Sequence, residues 1–257
     1  MKSFFNMKKK KHSTTVLPEQ EREMILSDTA SFHVKEAYKA TRTNTMFSIP
    51  GEGCKKIVVA SSFPGEGKST TCLNLAITFA QTGSKVLVID ADLRKPTVHR
   101  KLDLANEKGL AHLLGHFCKV EEAIIPTQYE NLEVITSGHI PPNPAELLAS
   151  ESMTQILDTL SAQYDYIFLD TPPLNVVTDA TVLSTQVSGT VLVVRQGVTH
   201  HKDMQDAVSK LEFAQGKILG LILHGVKDKK AGYGKYSKYS KYSQYGYKNS
   251  AYTQYGE

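Results

Sequence analysis

The sequence predicts an α/β fold in which a mostly parallel central sheet is covered by helices on both faces. Two observations support this prediction. Short runs of strand character alternate with longer helical stretches along the 257 residues, and these runs are apolar at nearly every position, as is typical of strands buried on both faces. The length suits one domain of this kind with short extensions.

The predicted elements follow one another in a regular order. A helix over residues 34–47 precedes a first strand at 57–60, and a helix over 69–81 leads to a second strand at 86–89. Further strands are predicted at 132–136, 166–169, 190–194 and 217–223, and further helices at 145–149, 153–163, 179–186 and 203–214. Ligands of such sheets bind beyond the carboxyl ends of the strands, so the residues at those ends are the candidate site.

Composition restricts the class of protein. Apolar residues make up 40% of the chain, but their uninterrupted runs are far shorter than the roughly 20 residues that span a bilayer. The basic residues near the N-terminus have no apolar stretch behind them, which argues against a cleaved secretion signal. Three cysteines without a Cys-x-x-Cys pair argue against a disulfide framework. These features predict a cytoplasmic protein.

The C-terminal segment differs from the rest of the chain. Eight of the twelve tyrosines lie between Tyr233 and Tyr255, separated mainly by Gly, Ser and Lys. Such a segment cannot build a core, so we expect a disordered tyrosine-rich tail at 227–257, a folded domain at 33–226 and a flexible basic segment at 1–32. The tail serves either as a mobile phosphate acceptor or as a low-complexity segment that stacks on nucleic-acid bases.

A glycine-rich segment lies between the first predicted strand and the helix that follows it. It reads Ser-Phe-Pro-Gly-Glu-Gly-Lys-Ser-Thr over residues 62–70. Glycines let backbone N–H groups turn toward phosphates, Lys68 reaches the β and γ oxygens, and the Ser69 hydroxyl can bind Mg²⁺. The first position is Ser62 instead of the Gly of the general pattern. The segment predicts a P-loop NTPase whose nucleotide-binding residues are Pro64, Gly65, Glu66, Gly67, Lys68, Ser69 and Thr70.

Three carboxylates follow predicted strands near this loop. Asp90 and Asp92 come directly after the strand at 86–89, and Asp170 follows the strand at 166–169. Each of them alone is equally compatible with a helix cap or a loop acid. Phosphoryl transfer needs a metal ion held in place and an aligned nucleophile, and carboxylates can do both. Together with Lys68 they are the predicted catalytic residues.

In these motifs the chain resembles the bacterial protein-tyrosine kinases of the capsule and exopolysaccharide type, in their cytoplasmic single-domain form. The resemblance rests on residues 62–69, on Asp-Ala-Asp-Leu-Arg at 90–94, on Asp-Thr-Pro-Pro at 170–173 and on the tyrosine tail. It implies a kinase that uses ATP and Mg²⁺ to phosphorylate its own tail in trans within a ring-shaped oligomer. The implied acceptors are Tyr233, Tyr236, Tyr239, Tyr242, Tyr245, Tyr247, Tyr252 and Tyr255.

The same resemblance implies roles for the acidic residues. Asp90 would act as the general base toward the tyrosine hydroxyl. Asp92 and Asp170 would support Mg²⁺, with Ser69 as a direct ligand. His224 stands where relatives often place an Asn that reads adenine, which is a departure from the family pattern.

Partners are also implied by the resemblance. The N-terminal helix of the family carries Glu-x-x-Arg-x-x-Arg at the ring interface, and the matching positions here are Glu36, Lys39 and Arg42. Lys39 lacks the bidentate fork of Arg, so this contact is expected to be weaker. A transmembrane adaptor of the polysaccharide chain-length type would recruit the kinase to the inner face of the cell membrane. A cognate tyrosine phosphatase and external protein substrates are further implied partners, and no nucleic acid is expected.

Two other classes of protein remain as alternatives. A partitioning or positioning ATPase shares the broad fold but carries a signature lysine early in the loop, where this chain has Phe63. A weakly catalytic assembly module would bind nucleotide only to hold an oligomer together while the tail recruits partners. Turnover on the tail distinguishes both alternatives from a kinase.

Overall fold

A computed structural model describes residues 24–49 and 51–226 of the chain. In this part, seven strands form one sheet: β1 Lys55–Ser61, β2 Val86–Asp90, β3 Ile124–Pro126, β4 Leu132–Ile135, β5 Tyr166–Asp170, β6 Gly189–Arg195 and β7 Ile218–His224. The helices are α1 Phe32–Ser48, α2 Lys68–Ala80, α3 Val98–Lys101, α4 Leu110–Leu114, α5 Val120–Ala123, α6 Pro144–Leu148, α7 Glu151–Ser161, α8 Asp179–Ser184 and α9 His201–Phe213.

The strand order is β3-β4-β2-β5-β1-β6-β7, and every neighbouring pair except β3 and β4 is parallel. The register pairs Val59 of β1 and Asp90 of β2 with Asp170 of β5. The carboxyl ends of these three strands are therefore adjacent, which brings the loops that follow them together. The predicted α/β fold with a mostly parallel sheet is confirmed.

The sheet is buried on both faces because its strands are apolar at successive positions. Val58 and Ala60 belong to one buried cluster, whereas Ile57 and Val59 belong to a second. Side chains of a strand alternate between faces, so the two clusters occupy opposite faces of the sheet. The second cluster contains α2, in which every residue after Lys68 is buried.

The packed region begins before residue 33, where the sequence predicts the start of the domain. Ile25 and Leu26 are buried, and the Leu26 amide donates to Oδ1 of Asn74 at 2.8 Å. Two apolar side chains thus join the core from a segment expected to be flexible. The rest of the predicted division into domains stays a prediction, and residues 1–23 and 227–257, with all eight tail tyrosines, lie outside the described residues.

Predicted and observed elements agree apart from their ends and the shortest segments. The sequence gives no prediction for β3, which is antiparallel to β4, or for the helices α3, α4 and α5. These elements have three to five residues, too few to show a hydrophobic period. Within the described ranges, no helix is long and apolar enough to cross a membrane.

Candidate active site

A cavity of about 610 Å³ lies at the carboxyl ends of the central strands. Its walls come from the glycine-rich loop after β1, the segment between β2 and α3, the residues after β5, and the ends of β6 and β7. Ligand sites of parallel sheets are expected at this edge. Of the predicted nucleotide-binding residues, all but Glu66 line the cavity.

The conformation of the loop requires glycine at two positions. Gly65 and Gly67 have φ angles of 82° and 94°, in the left-handed region that side chains disfavour. Gly67 is also the residue before the first turn of α2, and a Cβ atom there would lie 2.4 Å from the ring of His224. The free N–H groups at the start of α2 and its dipole favour an anion in the cavity.

Glu66 has a role in the structure that the sequence analysis does not foresee. The side chain is buried, and its Oε2 accepts hydrogen bonds from the amides of Ser62 at 2.8 Å and Phe63 at 3.1 Å. The Thr199 hydroxyl donates to Oε1 at 2.7 Å. The carboxylate therefore holds the loop in shape from within, and only the backbone of Glu66 remains available to a nucleotide.

A second contact ties the loop to the end of β6. Arg195 lines the cavity, and its Nη1 donates to the carbonyl oxygen of Gly65 at 2.7 Å. The Arg195 amide donates in turn to the Thr199 hydroxyl at 2.8 Å. The turn after β6 thus supports the glycine-rich loop through both a side chain and a backbone group.

Lys68 lies among the predicted carboxylates. Its Nζ is 3.1 Å from Oδ2 of Asp92, 3.3 Å from Oδ1 of Asp170 and 3.2 Å from Oγ of Ser69. Burial opposes the charged ammonium, but Asp170 and Asp92 outweigh it and raise the pKa of Lys68 above its usual value. Lys68 is therefore charged, and the structure brings together four of the predicted site residues.

Two features of this cluster fit a nucleotide with Mg²⁺. Oδ2 of Asp170 is buried and has no hydrogen-bond partner among the described residues, and an unpaired buried carboxylate oxygen suits a cation. Burial raises the pKa of Asp170, which the nearby Lys68 opposes. Ser69 and Asp92 supply further oxygen atoms beside it, which is the donor type that Mg²⁺ prefers.

The buried carboxylate of Asp90 accepts hydrogen bonds from three backbone amides. Its Oδ2 accepts hydrogen bonds from the amides of Thr97 and Val98 at 3.2 and 3.1 Å, and its Oδ1 accepts one from the Asp92 amide at 3.3 Å. Burial and the charge of Asp170 raise the pKa of Asp90 well above its usual value. A carboxylate has about four acceptor positions, so these three bonds leave one for the proton of a substrate. The predicted role as general base stays a prediction.

Arg94 is held by a residue that the sequence analysis overlooks. Its Nε and Nη2 donate to Oδ2 and Oδ1 of Asp179 at 2.9 and 3.0 Å. Asp179 is fully buried at the start of α8, whereas Arg94 lines the cavity. Bidentate pairs of this kind fix the plane of a guanidinium group. In the sequence, Asp179 is indistinguishable from an ordinary acid in the first turn of a helix.

The predicted oligomer contacts lie on α1. Lys39 pairs with Glu36 at 2.8 Å on an exposed face, and Nη1 of Arg42 donates to the carbonyl oxygen of Thr78 at 2.7 Å. Arg42 is therefore partly committed to α2 of its own chain. The assignment of these three residues to a ring interface stays a prediction.

His224 makes the stability of the folded protein depend on pH. Burial, with Arg195 and Lys101 nearby, lowers the pKa of His224 below its usual value. The unfolded chain therefore binds this proton more readily, so stability is complete above the unfolded pKa of about 6.5 and is lost as the pH falls below it. We expect His224→Asn to flatten the fall in melting temperature between about pH 7 and pH 5. An unchanged slope would contradict this expectation.

The fold and site define the chain as a P-loop nucleotide-binding protein. A family model described as an AAA domain matches residues 54–204. The septum site-determining protein MinD from Pyrococcus horikoshii, solved with Mg-ADP, superposes with a TM-score of 0.57 at 25% identity over 70% of this chain and 74% of that chain. That neighbour thus binds a nucleotide with Mg²⁺ on the same architecture.

Similarity to tyrosine kinases is closer. The chain is 44% identical to the tyrosine-protein kinase YwqD of Bacillus subtilis, over 77% of this chain and 84% of that protein. It is 38% identical to the putative tyrosine-protein kinase CapB of Staphylococcus aureus, over 87% of this chain and 96% of that protein. The kinase domain of the Escherichia coli tyrosine kinase ETK superposes with a TM-score of 0.74 at 34% identity, covering 79% of each chain.

A further solved structure, the chimerical protein CapA2B2, superposes with a TM-score of 0.73 at 38% identity, over 76% of this chain and 86% of that chain. The chain belongs to the family of bacterial protein-tyrosine kinases. The prediction of a kinase of the polysaccharide-synthesis type is thereby confirmed.

Proposed function

We propose that this kinase phosphorylates the tyrosines of its own C-terminal segment in trans, using MgATP bound in the cavity beside Lys68. The observation that carries the proposal is the cluster of Lys68, Ser69, Asp92 and Asp170 at the start of α2. The acceptors are the tyrosines between Tyr233 and Tyr255, which the sequence places just beyond β7.

The chain's own groups bind and align the reactants. ATP would supply the γ-phosphoryl group, and Mg²⁺, when bound, would neutralise negative charge on the phosphate oxygens. Backbone N–H groups of the loop hold the phosphates, and Lys68 exchanges its carboxylate partners for phosphate oxygens. Ser69, Asp92 and Asp170 provide the oxygen atoms that hold the metal ion.

Atoms balance in this transfer without a further reactant. The tyrosine oxygen forms a bond to the γ-phosphorus as the bond from that phosphorus to the bridging oxygen breaks, and ADP leaves. The phenolic proton passes to a carboxylate, for which Asp90 is the predicted acceptor. Because an unperturbed tyrosine has a pKa near 10, the base assists mainly as negative charge develops on the oxygen.

The wider assignment follows the family resemblance. The kinase acts as a ring homo-oligomer at the inner face of the cell membrane, where a transmembrane adaptor of the polysaccharide chain-length type recruits it. It controls the synthesis and export of capsule or exopolysaccharide, and a cognate phosphatase resets the tail. Once several tyrosines of each tail carry phosphate, the tails would repel one another and loosen the ring.

Phosphorylation in trans is tested by mixing two variants, neither of which can phosphorylate a tail of its own. Lys68→Met subunits keep an intact tail but lack the catalytic lysine, and subunits ended after residue 226 keep the site but lack the tail. We expect phosphate on the Lys68→Met tail only in the mixture, detected by mass spectrometry, with each subunit alone as the control. If the mixture gives no phosphate while the wild type phosphorylates itself, transfer occurs within one chain.

A further inference from the structure

The cavity is lined by cationic side chains that are not among the predicted nucleotide-binding residues. Six cationic side chains line it: Lys68, Arg94, Lys95, Arg100, Lys101 and Arg195. Lys68 is paired with Asp92 and Asp170, and Arg94 is paired with Asp179. Over the described ranges, Lys95 and Arg100 form no ion pair with any carboxylate. We call Lys95 and Arg100 the basic wall.

The basic wall belongs to a different strand from the glycine-rich loop. Lys95 and Arg100 follow β2, the loop follows β1, and β5 lies between these two strands in the sheet. The basic wall and the loop therefore border the cavity from strands that are not neighbours in the sheet. The charges of the basic wall are additional to Lys68 and the N–H groups at the start of α2.

Hydrogen bonds hold the segment that bears the basic wall in place. The Lys95 amide donates to Oδ1 of Asp92 at 2.9 Å, and the buried carboxylate of Asp90 binds the amides of Thr97 and Val98. Nη2 of Arg100 donates to the carbonyl oxygen of Pro96 at 3.2 Å. Anchored backbone reduces the ordering cost of binding a ligand to such side chains.

Each phosphate transferred to the tail would make its net charge less positive. Residues 227–257 contain seven Lys against Asp228 and Glu257, which gives a net charge of +5 before modification. Each phosphotyrosine adds about −1.5 to −2, so three of them bring the net charge of the tail to between about +0.5 and −1. The lysines of the tail are repelled by the basic wall, whereas each phosphate group is a local negative charge that Lys95 and Arg100 can pair with, even while the tail as a whole stays positive.

We propose that the basic wall is a phosphotyrosine-binding subsite for the partly phosphorylated tail of another copy of this chain, so that one phosphate promotes the next transfer. The inference rests on the proposed phosphorylation of the tail. Tyr233, Tyr236, Tyr239 and Tyr242 are spaced by three residues, which is about 10 Å in an extended chain. That separation is comparable with the width of a cavity of about 610 Å³.

The test compares two acceptor peptides with the sequence of residues 230–245, one unmodified and one with phosphotyrosine at Tyr239. The enzyme is the full chain with all eight tail tyrosines changed to Phe, so that only the peptide accepts phosphate. We expect kcat/KM at low salt to be about fivefold higher for the phosphopeptide, because two exposed charge pairs each contribute modestly. The preference is expected to shrink as salt is added.

Charge-matched variants separate the basic wall from general electrostatics. Lys95→Gln combined with Arg100→Gln is expected to reduce the ratio to about one without changing the KM for ATP. Lys85→Gln combined with Lys217→Gln removes the same charge at the exposed amino ends of β2 and β7 and is expected to keep the ratio.

Three other outcomes would each contradict either the phosphotyrosine subsite or the proposed phosphorylation of the tail. Equal kcat/KM for the two peptides with the parent enzyme would overturn the subsite and leave the kinase intact. A raised KM for ATP with an unchanged ratio in the Lys95 and Arg100 variant would assign the wall to nucleotide phosphates and also overturn it. Absence of phosphate on both peptides would contradict the proposed tail phosphorylation itself.

Discussion

Lys68→Met is expected to lower kcat/KM for phosphorylation of the tail by at least about a thousandfold. Lys68 is the cation at the centre of the site, within 3.3 Å of Asp92, Asp170 and Ser69. Its ammonium group stabilises charge that develops on the transferred phosphoryl group, and a methionine of similar length cannot do this. The loss should appear in incorporation of phosphate from labelled ATP.

The fold is expected to survive this change. Burial raises the pKa of the Asp170 carboxyl group, and without Lys68 only the hydrogen bond from Ser69 opposes this, so we expect the group to take up a proton and avoid an isolated buried charge. Lys56→Met is the matched control, because Lys56 lies at the other end of β1 and pairs with an exposed Asp158. Retained activity in Lys68→Met, or equal loss in both variants, would contradict the assignment.

Glu66→Ala is expected to destabilise the protein by about 3 kcal/mol and to abolish nucleotide binding. The Glu66 carboxylate accepts from the Ser62 and Phe63 amides and from the Thr199 hydroxyl. Alanine leaves these donors without a partner, and the Ser62 amide belongs to a fully buried residue. Urea unfolding measures the stability, and titration with a fluorescent ATP analogue measures the binding.

A graded series makes this prediction specific. Glu66→Gln retains an oxygen for the two amides but loses the charge and puts an amide nitrogen where the Thr199 hydroxyl has its acceptor, so its loss of stability should be about half that of Glu66→Ala. Thr199→Val removes two hydrogen bonds, the one donated to Glu66 and the one accepted from the Arg195 amide, and should cost about 2 kcal/mol. If Glu66→Ala weakened ATP binding without changing the unfolding midpoint, the side chain would act on the nucleotide and not on the loop.

Features determined by residues that lie close together in the sequence could be predicted. The apolar strands and the glycine-rich loop occupy short continuous stretches, and the structure places them as expected. The proximity of Lys68, Asp92 and Asp170 could be predicted because parallel strands end at one edge of a sheet. The edge strand β3 could not be predicted, because three residues that end in Pro126 are too few to show the alternation of a strand.

Contacts between distant parts of the chain account for what sequence analysis missed. Asp179 lies 85 residues from Arg94, and Thr199 lies 133 residues from Glu66. Neither partner has a local signature, because an acid in a first helical turn and a threonine in a loop are common. Asp90 shows the same limit, since its position at a strand end does not reveal that its carboxylate binds backbone amides.

The most direct test of the central claim is mass spectrometry of tail peptides after incubating the full chain with MgATP, beside a Lys68→Met control. The cytoplasmic segment of an adaptor is supplied in a parallel sample. We expect phosphate on tyrosines between Tyr233 and Tyr255 in the active enzyme alone. An unmodified tail in a sample that hydrolyses ATP with the adaptor present would contradict tail phosphorylation and favour a nucleotide-switch ATPase.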